Sequence, residues 1–293
     1  MYYNIYIGGL PMSKVDLHIH STASDGSFTP AEVVRHAHLR GLEIIALTDH
    51  DSVHGLDEAY KTIEEEKIPL KLIPGIEMSS RYVAGDFRFE IHILGYNIDY
   101  KNPELNKKLD DIKEERRERN KEMLGLFSQF GYYFDIEELE KRYNGSTITR
   151  MHIAQFLLDE GLIKTKREAF DKYIGVKAPC YVPRVLLKPE DAFKLIIDYG
   201  GIPVLAHPVQ YKLTPSLYDE MVENLKENGL KGIEAIYTSN TAADERFFKR
   251  LAKDHDLFVT GGSDFHGAMK PNIEMGVGFG SLYIPDEVAH NIL

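Results

Sequence analysis

The chain has 293 residues, 43% of them hydrophobic and 28% charged, a balance typical of globular proteins and not of disordered ones. Its formal net charge of −11 argues against binding of duplex nucleic acid over a broad basic surface, although it is compatible with a local basic pocket. The single cysteine, Cys180, excludes a disulfide framework within the chain and a thiolate zinc site, so we expect no disulfide-linked partner and a reducing, cytoplasmic environment. Because no apolar run approaches the roughly 18 residues of a membrane span, we expect no membrane association.

The first strand is predicted only after residue 13. Residues 1–13 are Tyr-rich and lack the basic start and long apolar run of a signal peptide. We expect them to form a disordered leader, with Met12 placed just before the first strand.

The segment VDLHIHSTASDG, at residues 15–26, places two histidines and a carboxylate at the end of a predicted strand. Because successive side chains alternate between the faces of a strand, His18 and His20 share one face, and Asp25 follows them. This is a chelating arrangement. A pair of histidines alone can equally be surface or core residues, so the argument depends on whether the pattern recurs.

The same pattern does recur, since further apolar, β-branched runs stop at a His, Asp or Glu. These runs cover 43–47, 70–76, 89–94, 201–206 and 257–260, and they carry or lead into His50, Glu77, His92, His207, Asp264 and His266. Helical stretches separate several of them, at 30–40, 56–66, 189–199 and 244–255. The alternation predicts an α/β fold with a parallel barrel, in which the carboxyl ends of the strands converge on one face.

The interval 97–189 breaks this alternation of strands and helices. Apolar residues at helical spacing predict helices over 103–130, 136–143, 150–160 and 166–173, the first interrupted by the charged run KEERRERNKE. We therefore expect a helical domain at 97–189 inserted into a barrel formed by 14–96 and 190–284. Because the insertion leaves and re-enters the barrel at the face that carries the histidines, it is expected to cover the site.

The candidate ligands comprise six imidazoles and three carboxylates: His18, His20, Asp25, His50, Glu77, His92, His207, Asp264 and His266. A single catalytic zinc needs about three protein ligands, so this set predicts two or three metal ions with Glu77 bridging. Mixed imidazole and carboxylate ligation favours Mn²⁺, with Zn²⁺ or Fe²⁺ as alternatives. A multinuclear centre binds phosphate oxygens and lowers the pKa of a bridging water, so hydrolysis of a phosphate ester is the predicted reaction.

The elements DLHIHSTASDG, IIALTDHD, PGIEMSS, IHILGY, VLAHP and GGSDFHG, in this order, resemble the motif set of the polymerase and histidinol phosphatase (PHP) family of metal-dependent phosphoesterases. The resemblance runs from Lys14 to about Gly280 and implies a distorted seven-stranded (β/α)7 barrel with three metals. It implies that the ions are held by His18, His20, Glu77 and Asp264, by Glu77, His92 and His207, and by Asp25, His50 and His266. Histidinol phosphatases typically carry His where this chain has Asp25, which favours the nucleotide-directed branch.

Residues 149–183 of the insertion resemble the helical domain of bacterial nucleoside 3',5'-bisphosphate phosphatases, some of which also trim short RNAs from the 5' end. The resemblance implies that basic groups of the insertion grip a distal 5'-phosphate, and the candidates are Arg116, Arg119, Arg150, Lys177 and the neighbouring His152. For Arg116 and Arg119 a solvated helix face is the open alternative. Where the family often reads GRPHIA, this chain reads TRMHIA, so the turn before Arg150 is expected to differ.

These features together predict a cytoplasmic phosphoesterase that hydrolyses the 3'-phosphate of nucleoside 3',5'-bisphosphates, with short single-stranded 5'-phosphorylated RNA as a second substrate. Asp264, His207 and Glu77 are the predicted catalytic residues. One alternative is a phosphatase or cyclic phosphodiesterase for another small phosphate ester, among which histidinol phosphate is less favoured. A second alternative is a non-catalytic metal-binding accessory module, whose usual mark is the loss of ligands that are present here.

Overall fold

The structure is a computed structural model that describes residues 6–7, 10–11, 13–85, 87–143 and 146–293. Near the N terminus, β1 (Tyr6–Ile7) pairs antiparallel with β2 (Leu10–Pro11). Apart from these strands and Ser13, the disordered leader predicted for residues 1–13 lies outside the described residues. No helix in the described ranges is both long and apolar enough to cross a membrane.

Seven strands of the described chain form one sheet, and they neighbour each other in chain order. They are β3 (Val15–Ile19), β4 (Ile44–Leu47), β5 (Lys71–Ala84), β6 (Phe87–Tyr96), β7 (Ile202–Leu205), β8 (Gly232–Tyr237) and β9 (Phe258–Gly262). The two edges meet, because the N–H of Asp264 donates to the carbonyl of His18 and the N–H of His20 donates to the carbonyl of Phe265, both at 2.9 Å. The sheet therefore closes into the seven-stranded α/β barrel that the sequence predicted.

Five helices of the described chain pack around the outside of this barrel. Two precede the insertion, α1 (Pro30–Leu39) and α2 (Leu56–Glu66), and three follow it, α7 (Pro189–Asp198), α8 (Pro215–Glu227) and α9 (Ala242–Asp254). All of them except α8 lie within two residues of a predicted helix. Neither α8 nor β8 has a counterpart among the predicted elements.

Strand β6 runs antiparallel to both of its neighbours, whereas the predicted sheet is parallel. The connection from β5 to β6 spans residues 85–86 only, and so short a connection joins only antiparallel strands. Because β4 pairs only with the first four residues of β5, and β7 only with the last four of β6, the rest of the hairpin projects beyond the barrel. His92 lies within β6, inside the run 89–94 that the sequence predicted to carry it.

A bulge in β3 determines the direction of the first two histidines. Asp16 pairs with Ile45 and Ile19 pairs with Leu47, so β3 carries one residue more than β4 between these pairs. Leu17 packs with Ile284 and Val288 in the barrel interior, whereas Ile19 packs in the outer cluster against the helices. The side-chain alternation therefore shifts at the bulge, and His18 and His20 both face the top of the barrel interior.

The insertion contains α3 (Pro103–Gly125), α4 (Ile136–Arg142), α5 (Arg150–Asp159) and α6 (Lys166–Ala169), which a π-helical turn follows at Phe170–Ile174. The beginning of α3 packs on the barrel through Leu105 and Leu109. Its end joins the other helices in a separate apolar cluster around Phe127 and Phe156. The helices lie where the sequence predicted them, while the domain boundaries at 97 and 189 stay a prediction.

Candidate metal centre and substrate cavity

Glu77 lies on β5 in the middle of the histidine cluster, and it is fully buried. Its two carboxylate oxygens lie 2.9 to 3.4 Å from ring nitrogens of His18, His20, His50, His92 and His207. Imidazoles from β3, from β6 and from the loops after β4 and β7 thus converge on one carboxylate. The bridging role that the sequence predicted for Glu77 stays a prediction, and this central position is compatible with it.

A second group surrounds Asp25, in the loop after β3. Its Oδ1 lies 3.2 Å from Nε2 of His266, 3.8 Å from Nε2 of His50 and 3.9 Å from Nδ1 of His20. Burial, reinforced by His266 and His50, lowers the pKa of His20 well below its usual value. His20 is therefore neutral and offers a nitrogen lone pair to this group.

Asp264, which follows β9, uses its two oxygens differently. Oδ1 lies 3.5 Å from Nε2 of His20 and 3.7 Å from Nε2 of His18. Oδ2 accepts hydrogen bonds from the Tyr237 hydroxyl and from Lys270 Nζ, each at 2.7 Å. Burial opposes ionisation, but Lys270 and the histidines outweigh it and hold the pKa of Asp264 well below its usual range. Sequence reasoning identified neither Tyr237 nor Lys270, although Lys270 follows the GGSDFHG segment closely.

The donor atoms of this cluster fit divalent metal ions. Ligand atoms within 4.8 Å of one another form groups that, in the described chain, include all nine predicted ligands. Within the described residues, four buried atoms among them form no hydrogen bond of acceptable geometry, although some lie close to other ligand atoms, namely Asp25 Oδ1, His50 Nδ1, Glu77 Oε2 and His207 Nδ1. Leaving a buried polar atom unpaired costs on the order of 1–3 kcal/mol, and a shared cation would remove that cost for the atoms that face it. Nitrogen and carboxylate donors without thiolate suit Mn²⁺, Fe²⁺ and Zn²⁺.

A cavity of about 340 Å³ separates this cluster from the insertion. On the barrel side its lining includes Asp25, His50, His92 and His207. The remaining lining includes four arginines, namely Arg116 and Arg119 of α3, Arg150 at the start of α5, and Arg184 in the segment that returns to the barrel. Sequence reasoning missed Arg184, because it lies in an irregular segment without periodicity.

Two of these arginines share one carboxylate. Arg116 and Arg184 contact Oδ2 of Asp51 at 2.5 Å and 3.0 Å, and Asp51 Oδ1 accepts the N–H of Ser79 at 3.0 Å. Arg116 is buried, so the solvated-face alternative is wrong for this residue. Asp51 directly follows His50, and this pairing links the metal-ligand loop to the arginines.

The other two arginines, Arg119 and Arg150, form no ion pair within the described part of the chain. Arg119 donates to Asn120 Oδ1 at 2.9 Å, and the Arg150 guanidinium lies 5.8 Å from the centre of the Phe170 ring. Burial, together with the neighbouring guanidinium of Arg184, lowers the pKa of Arg119 to about 9. Glu90 also lines the cavity, 3.8 Å from Arg184, so among the described residues the four arginines outnumber the two carboxylates, Asp51 and Glu90, that lie beside them.

Two predicted substrate-binding residues lie elsewhere. Lys177 is exposed, and it is not part of the cavity lining formed by the described residues. His152 is buried, and its Nδ1 accepts the N–H of Thr149 at 3.1 Å, which completes a capping box at the start of α5. Burial lowers the pKa of His152 to about 4, so the ring is neutral. Its observed contacts stabilise the helix that presents Arg150.

Comparison with known proteins identifies a family and several relatives. The sequence profile of the PHP domain matches residues 16–170. The 3',5'-nucleoside bisphosphate phosphatase of Chromobacterium violaceum is 34% identical, over 90% of this chain and 91% of that protein. The 5'-3' exoribonuclease of Haemophilus influenzae is 32% identical, over 86% and 90%. The phosphoribosyl 1,2-cyclic phosphate 1,2-diphosphodiesterase of Eggerthella lenta is 33% identical, over 86% and 94%.

Solved structures show the same architecture. A metal-dependent phosphoesterase from Bifidobacterium adolescentis superposes with a TM-score of 0.83 at 29% identity, over 97% of this chain and 96% of that one. A Chromobacterium violaceum protein, described as an amidohydrolase with bound sulfate and no metal, superposes with a TM-score of 0.81 at 32% identity, over 96% and 98%. The similarity thus extends over the barrel and the insertion together.

Proposed function

The chain belongs to the PHP family and is a metal-dependent phosphoesterase, and we propose that it hydrolyses the 3'-phosphate of nucleoside 3',5'-bisphosphates. The observation that carries this proposal is the two-sided cavity, with the predicted metal ligands on one side and an excess of arginines over carboxylates on the other. A substrate with two phosphates matches both sides. The alternative of a non-catalytic accessory module loses its support, because the similar proteins are themselves named as phosphoesterases.

Within this proposal the nine predicted ligands would hold two or three Mn²⁺ ions, with Zn²⁺ or Fe²⁺ as alternatives. When bound, such ions lower the pKa of water and neutralise phosphoryl charge. Glu77 would be shared between ions and orients the histidines around it, while Asp264 would offer one anionic oxygen to an ion and keeps the other on Lys270 and Tyr237. His207, the third predicted catalytic residue, lines the cavity on the same side, with its Nε2 2.9 Å from a carboxylate oxygen of Glu77.

We assign the distal 5'-phosphate to the arginine side of the cavity. Arg150 and Arg119 lack carboxylate partners in the described chain, so their N–H groups are available to a phosphate. Guanidinium groups bind phosphate through paired, charge-assisted hydrogen bonds. Arg116 and Arg184 add positive charge but remain held by Asp51. A bisphosphate is therefore held at both ends, with its 3'-phosphate at the metal ligands.

Short 5'-phosphorylated RNA is the second substrate that we propose. Its first nucleotide carries the same 5'-phosphate and, in place of the 3'-monoester, the phosphodiester to the next nucleotide. The exoribonuclease of Haemophilus influenzae supports this extension, since the similarity covers 86% of this chain. The net charge of −11 confines any nucleic-acid contact to the local basic pocket.

A different substrate has one specific observation in its favour. The relative from Eggerthella lenta, at 33% identity, is named as a cyclic phosphate diphosphodiesterase. The phosphoribosyl group of that substrate carries a second phosphate beside the cyclic one, so the substrate also matches both sides of the cavity, and the assay below distinguishes the two. The cytoplasmic location predicted from the single cysteine stays a prediction.

One assay panel tests the proposal. Mn²⁺-loaded enzyme is offered adenosine 3',5'-bisphosphate, a 5'-phosphorylated RNA oligomer, phosphoribosyl 1,2-cyclic phosphate and histidinol phosphate. We expect the highest kcat/KM for the bisphosphate, release of its 3'-phosphate, and stepwise shortening of the RNA from its 5' end. A higher kcat/KM for the cyclic phosphate or for histidinol phosphate would contradict the substrate assignment while leaving the phosphoesterase class intact.

A further inference from the structure

Glu234, on β8, is a fully buried carboxylate that is not among the nine predicted ligands. Its Oε1 lies 2.9 Å from Nδ1 of His18, and its Oε2 accepts the backbone N–H of His207 at 2.7 Å. No lysine or arginine of the described residues forms an ion pair with it. A buried carboxylate without a cationic partner is costly unless its oxygens are well used, so these two contacts require an explanation.

The first contact determines which nitrogen of His18 carries a proton. A carboxylate accepts hydrogen bonds only, so Nδ1 of His18 must carry the hydrogen that Glu234 receives. In the neutral ring Nε2 then keeps its lone pair. That nitrogen lies 3.4 Å from Glu77 Oε2 and 3.1 Å from Nε2 of His20, inside the metal cluster. Glu234 therefore directs the lone pair of His18 to the place where a ligand atom is needed.

The second contact fixes the backbone of His207. This residue has φ of 29°, close to the left-handed region that side chains other than glycine rarely adopt. The hydrogen bond from its N–H to Glu234 helps to hold that strained conformation. Nε2 of His207 lies 2.9 Å from Oε1 of Glu77. The strained backbone of His207 therefore determines the direction in which this predicted ligand points.

Strand β9 lies between β8 and β3 in the closed barrel. The contact between Glu234 and His18 passes over Gly262 of β9, which has no side chain to block it. A Cβ atom added to Gly262 would lie 2.9 Å from Glu234 Oε1 and 2.2 Å from His18 Cβ. Only glycine leaves room for the carboxylate to reach the ring across this strand. The sequence thus provides both the carboxylate and the space that it needs.

We propose that Glu234 is a positioning residue of the metal centre, which holds His18 with its proton on Nδ1 and His207 in its strained backbone conformation. Both histidines then direct Nε2 to the same cluster. The proposal rests on the proposed function, because it takes His18 and His207 as metal ligands. It does not depend on which phosphate ester is the substrate.

The substitution Glu234→Gln tests this role with little change of shape. Its amide oxygen can still accept one N–H, but the side chain no longer has two acceptor oxygens, so one of the two contacts is lost. We expect the metal-free variant to bind one Mn²⁺ ion about 10- to 100-fold more weakly than the wild type in equilibrium dialysis. Tyr96→Phe is the matched control, since it removes a buried hydrogen bond to the carbonyl of Leu17 on the same strand. The control should bind Mn²⁺ as the wild type does.

A second measurement uses the wild type and stays decisive even if Glu234→Gln does not fold. In zinc-loaded enzyme with ¹⁵N-labelled histidine, NMR should show the proton of His18 on Nδ1, protected from exchange and hydrogen-bonded. An unprotonated Nδ1 in the wild type would overturn the proposal, and so would unchanged Mn²⁺ affinity and stoichiometry in Glu234→Gln. If the enzyme binds Mn²⁺ as expected but does not hydrolyse the bisphosphate, the substrate assignment is refuted and the role of Glu234 is unaffected. A wild type that binds no divalent ion would refute both.

Discussion

Arg150 is the side chain on which recognition of the distal phosphate depends most directly. It begins α5, lines the cavity, and lies over the rings of Phe170 and Tyr181, with its guanidinium 5.6 Å from the centre of the latter. These rings hold the guanidinium without neutralising it. The departure from the GRPHIA pattern leaves Arg150 at the cavity, because Thr149 caps the helix by accepting the N–H of Met151 at 3.2 Å.

We therefore expect Arg150→Ala to lower kcat/KM for adenosine 3',5'-bisphosphate by about 10- to 150-fold. The loss corresponds to one charge-assisted hydrogen bond of roughly 1.5–3 kcal/mol in the transition state. Steady-state kinetics on adenosine 3'-monophosphate should stay nearly unchanged, because that substrate lacks the distal phosphate. Lys177→Ala, on an exposed residue outside the cavity lining, is the control. Equal losses on both substrates would mean that Arg150 acts on the reacting phosphate or on the fold.

The second prediction at the scale of single residues concerns Asp264. Asp264→Asn keeps the shape of the side chain, removes the charge, and leaves Lys270 facing a neutral group at a contact that measures 2.7 Å in the wild type. We expect kcat to fall at least about 100-fold while the circular dichroism spectrum is retained. Asp256→Asn, at an exposed ion pair of 3.4 Å with Lys226, should leave kcat unchanged. A kcat near that of the wild type in Asp264→Asn would remove Asp264 from the catalytic residues.

The nine predicted ligands could be identified in the sequence because each of them follows or lies within a recognisable apolar run, and the structure brings them together. Glu234 and Arg184 could not be found in this way. Glu234 contacts His18 across 216 positions of the chain, and only closure of the barrel brings the two together. Arg184 lies in an irregular segment, where no periodicity predicts which side chains face the cavity.

At the scale of elements, local signals predicted the helices closely. Helix α1, for example, begins with the capping box of Thr29 and Glu32 and has proline in its first turn. The direction of β6 could not be predicted in this way, because an apolar run has the same pattern in a parallel and an antiparallel strand. The short connection at residues 85–86 was the available signal, and it requires the antiparallel direction.

Strand β9 gives a prediction about stability. Gly262→Ala places a methyl group against the Cβ and backbone N of His18, at 2.2 Å and 2.7 Å, where the neighbouring strand cannot move away. We expect a loss of roughly 1–3 kcal/mol in the free energy of unfolding, measured by urea denaturation of the metal-free protein. Gly125→Ala at the end of α3 is the matched comparison, since nothing lies within 4 Å of the added Cβ. That variant should gain up to about 1 kcal/mol, and a similar change in both would contradict the close approach.

At the scale of the whole molecule, the insertion contacts the loops that carry the predicted ligands. Ser146 Oγ donates to the carbonyl of Thr22 at 2.6 Å, near Asp25. Lys166 Nζ donates to the carbonyl of Met269 at 3.1 Å, after the strand end that carries Asp264. Together with the pairing of Arg116 and Asp51, these contacts fix the position of the arginines relative to the metal ligands. In the function that we propose, this fixed spacing would match the spacing of the two phosphates in one substrate.

The concentration of imidazoles and carboxylates in the barrel leads to the last prediction, which concerns metal content. The described chain offers nine ligands around Glu77 and Asp25, more than a single ion uses, so elemental analysis after growth with Mn²⁺ should give more than one ion per chain. Ions that bind only the folded chain stabilise it by about 2.7 kcal/mol at a concentration 100-fold above Kd. The midpoint of thermal unfolding should therefore rise with Mn²⁺ concentration and fall after chelation with EDTA. Mn²⁺ should restore activity better than Mg²⁺, because imidazole nitrogens favour the softer ion. A fully active preparation with one ion or fewer per chain, or a midpoint that does not respond to Mn²⁺, would contradict the multinuclear centre.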